Sequence, residues 1–345
     1  MQKRENQQRK MKRTTCLFDS IVELDNLVLA AYKAFRRKSL VSEVKQYRQD
    51  LIPNLLKLQS DMRQGTVENG NYRQFIILEP KERLISAAPI EQRIMHHAIM
   101  NVCHDVFERQ LIFDSFATRP GKGTHSAVLR LRDKLKHYRY YAKLDFRKYF
   151  DSICHDVLCA RLRRIFKDER LLELFRGIIE AYGEQGRGVP IGNLTSQYFA
   201  NFYLSGLDHY MKEVLRAPFY IRYMDDVIIL ENDRERLKEL VRGYVAYSSE
   251  KLHLLTKPPV VGRSCHGVLF LGYRVFSDRI MLGGKSKRRF RRNLHKLDKL
   301  MAKGVISEDE YAVRAACNVA HVSFADSLRF RRRVLGGDGV CAASG

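Results

Sequence analysis

Phe219-Tyr220-Ile221-Arg222-Tyr223-Met224-Asp225-Asp226-Val227-Ile228-Ile229-Leu230 decides the reading of this chain. Two runs of aromatic and β-branched residues flank two adjacent carboxylates, the composition of a β-hairpin that turns at Asp225 and Asp226. An isolated Asp-Asp pair is most often a solvated turn. Here the flanks are long and apolar, so the turn is held at the edge of a buried sheet. Carboxylates fixed on such a hairpin suit a hard divalent cation. Mg²⁺ commonly shares its shell between one or two carboxylates and substrate phosphates.

A site of that kind needs a further carboxylate, and Lys143-Leu144-Asp145-Phe146-Arg147-Lys148-Tyr149-Phe150-Asp151 supplies it. Tyr140 to Leu144 reads as a strand ending at Asp145. Alone, Asp145 would cap the following turn. A strand-end Asp, an aromatic pair four and five residues later, and a downstream Tyr-Met-Asp-Asp hairpin together resemble the palm of a reverse transcriptase. That resemblance implies an α+β right-hand polymerase with an antiparallel palm sheet. It divides the chain into a basic tail (1–17), fingers (18–139), palm with interleaved helices (140–276), a helical thumb (277–335) and a flexible tail (336–345). It implies Asp145, Asp225 and Asp226 as the catalytic carboxylates, with two Mg²⁺ ions (or Mn²⁺, which takes the same oxygen ligands) held by them and by the Phe146 carbonyl. It places Phe150 at a sugar gate that rejects a 2′-hydroxyl. Tyr223 and Met224 fall beside the nucleic acid.

Bulk composition agrees with a polyanion partner. The 345 residues carry 62 basic and 39 acidic side chains, a net charge of +23, although charge alone does not separate RNA, DNA and membrane surface. With 45% apolar residues the chain can bury more than one core. No apolar run approaches the roughly 20 residues of a membrane span, and the polar, basic N-terminus lacks a signal-peptide core. Seven cysteines without a Cys-x-x-Cys pair argue against a zinc site or a disulfide framework and for a reducing compartment. With the resemblance, that compartment is the cytoplasm of a bacterial or phage-infected cell.

Working outward, Phe18 to Phe35 and Tyr47 to Met62 carry helical spacing, and Tyr72 to Leu78 reads as a strand. The next segment, Glu79-Pro80-Lys81-Glu82-Arg83, would be the tip of a hairpin. A charged tip is ordinarily just solvated; the resemblance sets Arg83, and less closely Lys81, over the incoming triphosphate. Glu91 to Ile99 is an amphipathic helix whose adjacent His96 and His97 point to different faces. Phe113 to His125, with Arg119-Pro120-Gly121, is a loop without P-loop spacing; by resemblance Arg119 supports nucleic acid. Residues 126–139, Asp156 to Phe166 and Leu171 to Tyr182 read as helices.

Gly188-Val189-Pro190-Ile191-Gly192-Asn193-Leu194-Thr195-Ser196-Gln197 reads as a tight loop entering a helix from Gln197 to Val214, with Thr195 or Ser196 as its cap. By resemblance Ile191, Gly192 and Gln197 lie against the nascent base pair. Most reverse transcriptases have Gln where this chain has Ile191, and many have Ser-Pro where it has Ser196-Gln197. These departures resemble the reverse transcriptases of diversity-generating retroelements, which copy a template RNA with errors concentrated at adenines. That subgroup implies template RNA, primer or cDNA and deoxynucleotides as partners, plus a small basic accessory protein forming a barrel oligomer, and no membrane. A retron, phage-defence or reduced group II intron enzyme is the alternative; a template-RNA scaffold with a vestigial palm is the non-enzymatic one, and three intact aspartates speak against it.

Arg234 to His253 reads as a helix. Lys257 lies where the family often has a Lys near the triphosphate. Val268 to Val275 reads as one strand, whose Leu271, Gly272 and Tyr273 border the primer terminus by resemblance. Lys285, Lys287, Arg288, Arg289, Arg291 and Arg292 crowd one helical segment, the composition of a thumb surface that meets phosphates. Residues 308–334 read as a helical pair.

Overall fold

The computed structural model describes residues 16–36, 41–78 and 82–335. The chain forms two compact units. One is drawn from Met1–Ile112, Phe146–Tyr210 and Tyr244–Thr256, the other from Phe113–Asp145, Met211–Gly243 and Lys257–Gly345.

The first unit is mostly helical. Apolar spacing over 18–35 predicts one helix, but Glu23 (φ −56°, ψ 137°) interrupts it, leaving α1 (Phe18–Val22) and α2 (Leu24–Phe35). Asp50 (φ −118°, ψ 48°) likewise splits the expected second helix into α3 (Ser42–Gln49) and α4 (Leu51–Gln64). Leu27, Ala30, Ala31 and Ala34 of α2 bury against α5 (Ile90–Glu108), which contributes Ile94, Met95, Ala98 and Ile99. Phe107, near the end of α5, anchors an aromatic cluster with Phe166, Phe175, Tyr198, Phe199 and Phe202, at ring-centroid distances of 5.5–6.3 Å. Such pairs add roughly 0.5–1.5 kcal/mol each beyond area burial.

Around this core lie α7 (Tyr149–Ser152), α8 (His155–Ile165) and α9 (Glu169–Glu180). The single helix expected from Gln197 to Val214 is instead α10 (Leu194–Tyr203), α11 (Ser205–His209) and a π-helical turn over Tyr210–Val214. Its cap is not Thr195 or Ser196, which are buried inside the first turn. Asn193 precedes the helix with extended backbone, and its Oδ1 accepts from the Ala88 N–H at 3.3 Å rather than capping. A two-stranded antiparallel hairpin joins β1 (Arg73–Ile77) to β2 (Arg83–Ala87), and every residue of β1 is exposed.

The second unit holds an antiparallel four-stranded sheet. Its order is β4 (Phe219–Tyr223), β5 (Asp226–Glu231), β3 (Tyr140–Leu144), β6 (Val260–Arg263). Phe219 and Ile221 alternate onto one face with Ile228 and Leu230, and Ala127, Val128 and Leu131 of α6 (Thr124–Leu135) join the same core. A three-stranded sheet follows, β7 (Val268–Phe270), β8 (Tyr273–Val275) and β9 (Ile280–Leu282). The expected single strand over 268–275 is therefore a hairpin. Leu271 (φ 49°) and Gly272 (φ 87°) both take left-handed backbone, as a two-residue hairpin turn of matching twist requires.

Helix α12 (Arg234–Leu252) starts in this unit and ends in the first. Helix α13 (Gly284–Ala302) buries Phe290, Leu294 and Leu297 along one stripe. Helix α14 (Glu308–Ser323) is capped by Ser307, whose Oγ accepts from the Glu310 N–H at 3.2 Å, and α15 (Leu328–Leu335) completes the expected pair. Among the described residues no helix is long and apolar enough to cross a membrane.

Candidate active site

The three aspartates come together by strand register. β3 runs antiparallel to β5 with Leu144 opposite Val227, so the next residue, Asp145, comes level with Asp226. Tyr223 of β4 also pairs with Asp226, which leaves Met224 and Asp225 as the two-residue connection. Met224 has φ 54°, a conformation that costs an L side chain of the order of 1–2 kcal/mol. Arg222 holds that turn from behind. It is fully buried, one guanidinium nitrogen donates to the Met224 carbonyl at 3.1 Å, and its backbone pairs with Asp114 and Phe116. Asp114 is in turn bonded to Arg130 at 2.8 Å.

Each of two carboxylates faces a lysine. Lys143 Nζ lies 3.0 Å from Asp226 Oδ1 and 3.2 Å from Oδ2, and donates to the Leu269 carbonyl at 3.0 Å. Lys257 is hydrogen-bonded to Asp145 Oδ2, and its backbone N–H donates to the Asp145 carbonyl at 2.8 Å. Burial holds the Asp226 carboxyl above its ordinary value. Lys143 and a hydrogen bond from the Leu271 N–H oppose that rise, and Asp145 adds to it. The turn of the β7–β8 hairpin thus reaches the aspartates. Gly272 is pinned there, its carbonyl accepting from the Gly283 N–H and Ser286 Oγ at 2.9 and 2.8 Å.

Among the described residues no three His, Cys, Asp or Glu side chains converge tightly enough to hold a metal ion. The donor chemistry nevertheless fits a hard cation that completes its shell with phosphate oxygens. Asp226 Oδ1 is buried, and what faces it at 3.0 Å is the Lys143 ammonium, a cation standing where a carboxylate oxygen would meet a metal ion. Lys143 and Lys257 supply the positive charge that these carboxylates face.

Other expected residues are distributed as follows. Tyr223 accepts from Thr124 Oγ1 at 3.3 Å. Tyr273 is buried with its hydroxyl 3.4 Å from His125 Nε2; burial raises the phenol's pKa and Arg289 opposes the rise. Arg119 bonds the Ser115 carbonyl at 2.7 Å. On α13, Lys287 and Arg291 lie over the Phe330 ring at 5.7 and 5.3 Å, while Lys285, Arg288 and Arg292 are exposed. In the first unit, the Phe146 ring is buried against Tyr149 and Tyr244 at 5.5 and 5.8 Å, and Phe150 packs edge-on to Tyr149. Ile191 accepts from the Ser86 N–H at 2.9 Å. A Cβ on Gly192 would come within 2.9 Å of Ile85, so the loop lies directly on β2. Arg83 is exposed at the start of β2, and Gln197 is half-buried in α10. Lys81 lies outside the described residues. Lys143 and Arg222 were not among the expected site residues. Lys143 had a signal, since residues two apart in a strand share a face and it stands two before Asp145.

The reverse transcriptase (RNA-dependent DNA polymerase) family matches residues 78–275, more than half of the chain. The chain belongs to this family. Its fold class is that of a right-hand polymerase, with antiparallel sheets in a mixed helix and sheet chain. Relatives of this reverse transcriptase include an uncharacterized 91 kDa protein in the cob intron of Schizosaccharomyces pombe, 30% identical, with 44% of this chain and 18% of that protein covered. Protein YkfC of Escherichia coli is 24% identical over 59% of this chain and 65% of its own length. The group II intron-encoded protein LtrA of Lactococcus lactis is 21% identical over 46% and 28%. The chain thus spans less than two thirds of each. A Candida tropicalis telomerase in complex with a fragment of telomeric RNA aligns with a TM-score of 0.48 and 13% identity, over 82% of this chain and 58% of that one.

Proposed function

We propose that the protein is an RNA-directed DNA polymerase that copies a template RNA into cDNA. The observation that carries the reading is the register that brings Asp145 level with Asp226, with Asp225 in the adjoining turn. In the reaction a primer 3′-hydroxyl bonds to the α-phosphorus of a deoxynucleotide, and the bond to pyrophosphate breaks. Two Mg²⁺ ions, when bound, would activate the hydroxyl and neutralise the leaving group. Asp145 and Asp225, with Asp226 and the Phe146 carbonyl, would hold them. Lys257 exchanges its carboxylate for phosphate oxygens as the nucleotide arrives. Arg83 clamps the triphosphate bidentately, which a lysine cannot do. Phe150 excludes a 2′-hydroxyl. The division into fingers, palm and thumb, with the basic face of α13 on the duplex, belongs to the same proposal.

Within the family we assign the chain to the diversity-generating retroelements, working in the cytoplasm with a basic accessory barrel protein. Ile191 supports this, because its side chain cannot donate the hydrogen bond that Gln would make to the incoming base pair. The intron-derived relatives favour a group II-like enzyme as the second reading. Primer extension on an adenine-containing RNA with Mg²⁺, followed by cDNA sequencing, separates the two. Errors clustered opposite adenine, reduced in Ile191→Gln, are expected. Faithful or uniformly erroneous copying would move the chain to the second reading, and no extension even with a structured template and the accessory protein would refute polymerase activity.

A further inference from the structure

The second unit contains a cavity of about 720 Å³, within the ordinary size range of ligand sites, at the end of β3 away from Asp145. Tyr140 begins β3 and Asp145 follows its far end. The strand rise puts the two about 16 Å apart, so the cavity is not an extension of the aspartate site.

Three properties define its chemistry. First, it is cationic. Arg139 and Arg263 line it, and the strand register sets Arg263 opposite Tyr140, the residue next to Arg139. Both side chains are exposed, and neither guanidinium has an ion pair or hydrogen bond among the described residues. The carboxylates at hand are already engaged. Asp278 is paired with Arg279 at 2.7 Å, and Glu231 Oε1 accepts from the Asn232 and Asp233 N–H groups. Second, it has aromatic walls, formed by Tyr138, Tyr140 and Phe276, with the Arg279 guanidinium over the Phe276 ring at 4.6 Å. Third, it is lined by Ser264, which is 95% buried and whose Oγ has no hydrogen-bond partner. Unpaired guanidiniums ask for phosphate, flat rings for a base, and an orphaned hydroxyl for a polar edge.

We propose that this cavity seats a nucleotide of single-stranded nucleic acid, held by Arg139 and Arg263 through phosphate and by the aromatic walls through the base. Its place makes it an anchor for a strand remote from the reacting end. A strand is favoured over a free nucleotide because two separate exposed arginines line the cavity, and a strand brings more than one phosphate to meet them.

The test uses the full chain and a fluorescent 12-nucleotide RNA, with a DNA of the same sequence and free AMP as separate arms. Arg139→Gln with Arg263→Gln should weaken RNA binding about tenfold or more. It should also flatten the dependence of log affinity on log salt by about 1.4, the share of two phosphates in a single strand. A 4-thiouridine RNA of the same length should crosslink to wild-type peptides containing residues 138–140 or 276–279. An equal loss with DNA supports a seat for either strand, and a loss confined to RNA supports one for the template. Unchanged affinity and salt slope, with crosslinks only elsewhere, overturns the proposal. So does AMP that competes for those crosslinks at micromolar concentration while the double variant leaves strand binding intact, which would make the cavity a free-nucleotide site.

Discussion

The β4–β5 and β1–β2 hairpins are built on opposite terms. In β4–β5 the strands are buried on both faces, and the turn is braced by the Arg222 guanidinium beneath the Met224 carbonyl. In β1–β2 all of β1 faces solvent, with Phe75, Ile76 and Ile77 among the exposed apolar side chains. Both strand pairs read as apolar β-runs in sequence. The difference lies in what surrounds them: one carries carboxylates that must be held still, the other has its partner strand β2 tied to the loop at Ile191 by the Ser86–Ile191 hydrogen bond. A hairpin can therefore present functional groups either by rigid burial or on an exposed arm, and substitutions should tell the two apart.

The largest effect is expected at the buried turn. Asp225→Asn should lower cDNA synthesis at least about a thousandfold, since a charged oxygen ligand is lost. RNA affinity measured by filter binding should stay within about twofold. Residual synthesis near wild type would end the contrast, because the turn would then carry no chemistry. Next, Arg222→Ala should cost about 3 kcal/mol in denaturant unfolding, through the cavity it leaves and the carbonyl it orphans. A cost under about 1 kcal/mol would mean that the turn needs no brace.

A pH experiment sharpens the comparison from the other side, by asking whether the unit carrying the exposed hairpin is itself loosely packed. His96 in α5 is fully buried, neither ring nitrogen has a hydrogen bond, and burial, aided by His97, lowers its pKa to about 3. The folded chain keeps this ring neutral while the unfolded chain protonates it near 6.5. Its contribution to stability is therefore complete above about pH 6.5 and is lost as pH falls towards 3, at about 1.4 kcal/mol per pH unit. Unfolding titrations of wild type and His96→Phe should diverge in that window, and parallel curves would show that water reaches the ring. The smallest effect belongs to the exposed strand. Ile76→Thr should shift stability by no more than about 0.5 kcal/mol, and a loss above 1 kcal/mol would reveal a packing role for β1.

What was legible in the sequence follows the same division. The placement of Asp145 just past a strand and of Asp225 and Asp226 at a hairpin turn could be read because strong β-formers flank them. The β7–β8 hairpin was missed because Val268 to Val275 contains no polar turn pair. Its signal was a parity slip: Val268 and Phe270 are buried, then Tyr273 and Val275, so the alternation skips one residue at Leu271-Gly272. Helix breaks at Glu23 and Asp50 left no such mark, since both residues are acceptable helix formers or caps. The Lys257–Asp145 pair and the Arg139–Arg263 cavity join segments more than a hundred residues apart, and spacing along a chain says nothing about such meetings.

The interleaving of the two units has a consequence for biosynthesis. The helical unit takes its last piece from Tyr244–Thr256, and the sheet unit takes its first from Phe113–Asp145. A chain emerging from the ribosome therefore cannot finish one unit before starting the other. The strand carrying Lys143 must wait for a partner more than eighty residues downstream. Loop closure on that scale slows folding and leaves β-edges open during translation. Slowed elongation and lower temperature should raise the soluble yield of this chain more than they would for a protein whose domains follow one another in sequence.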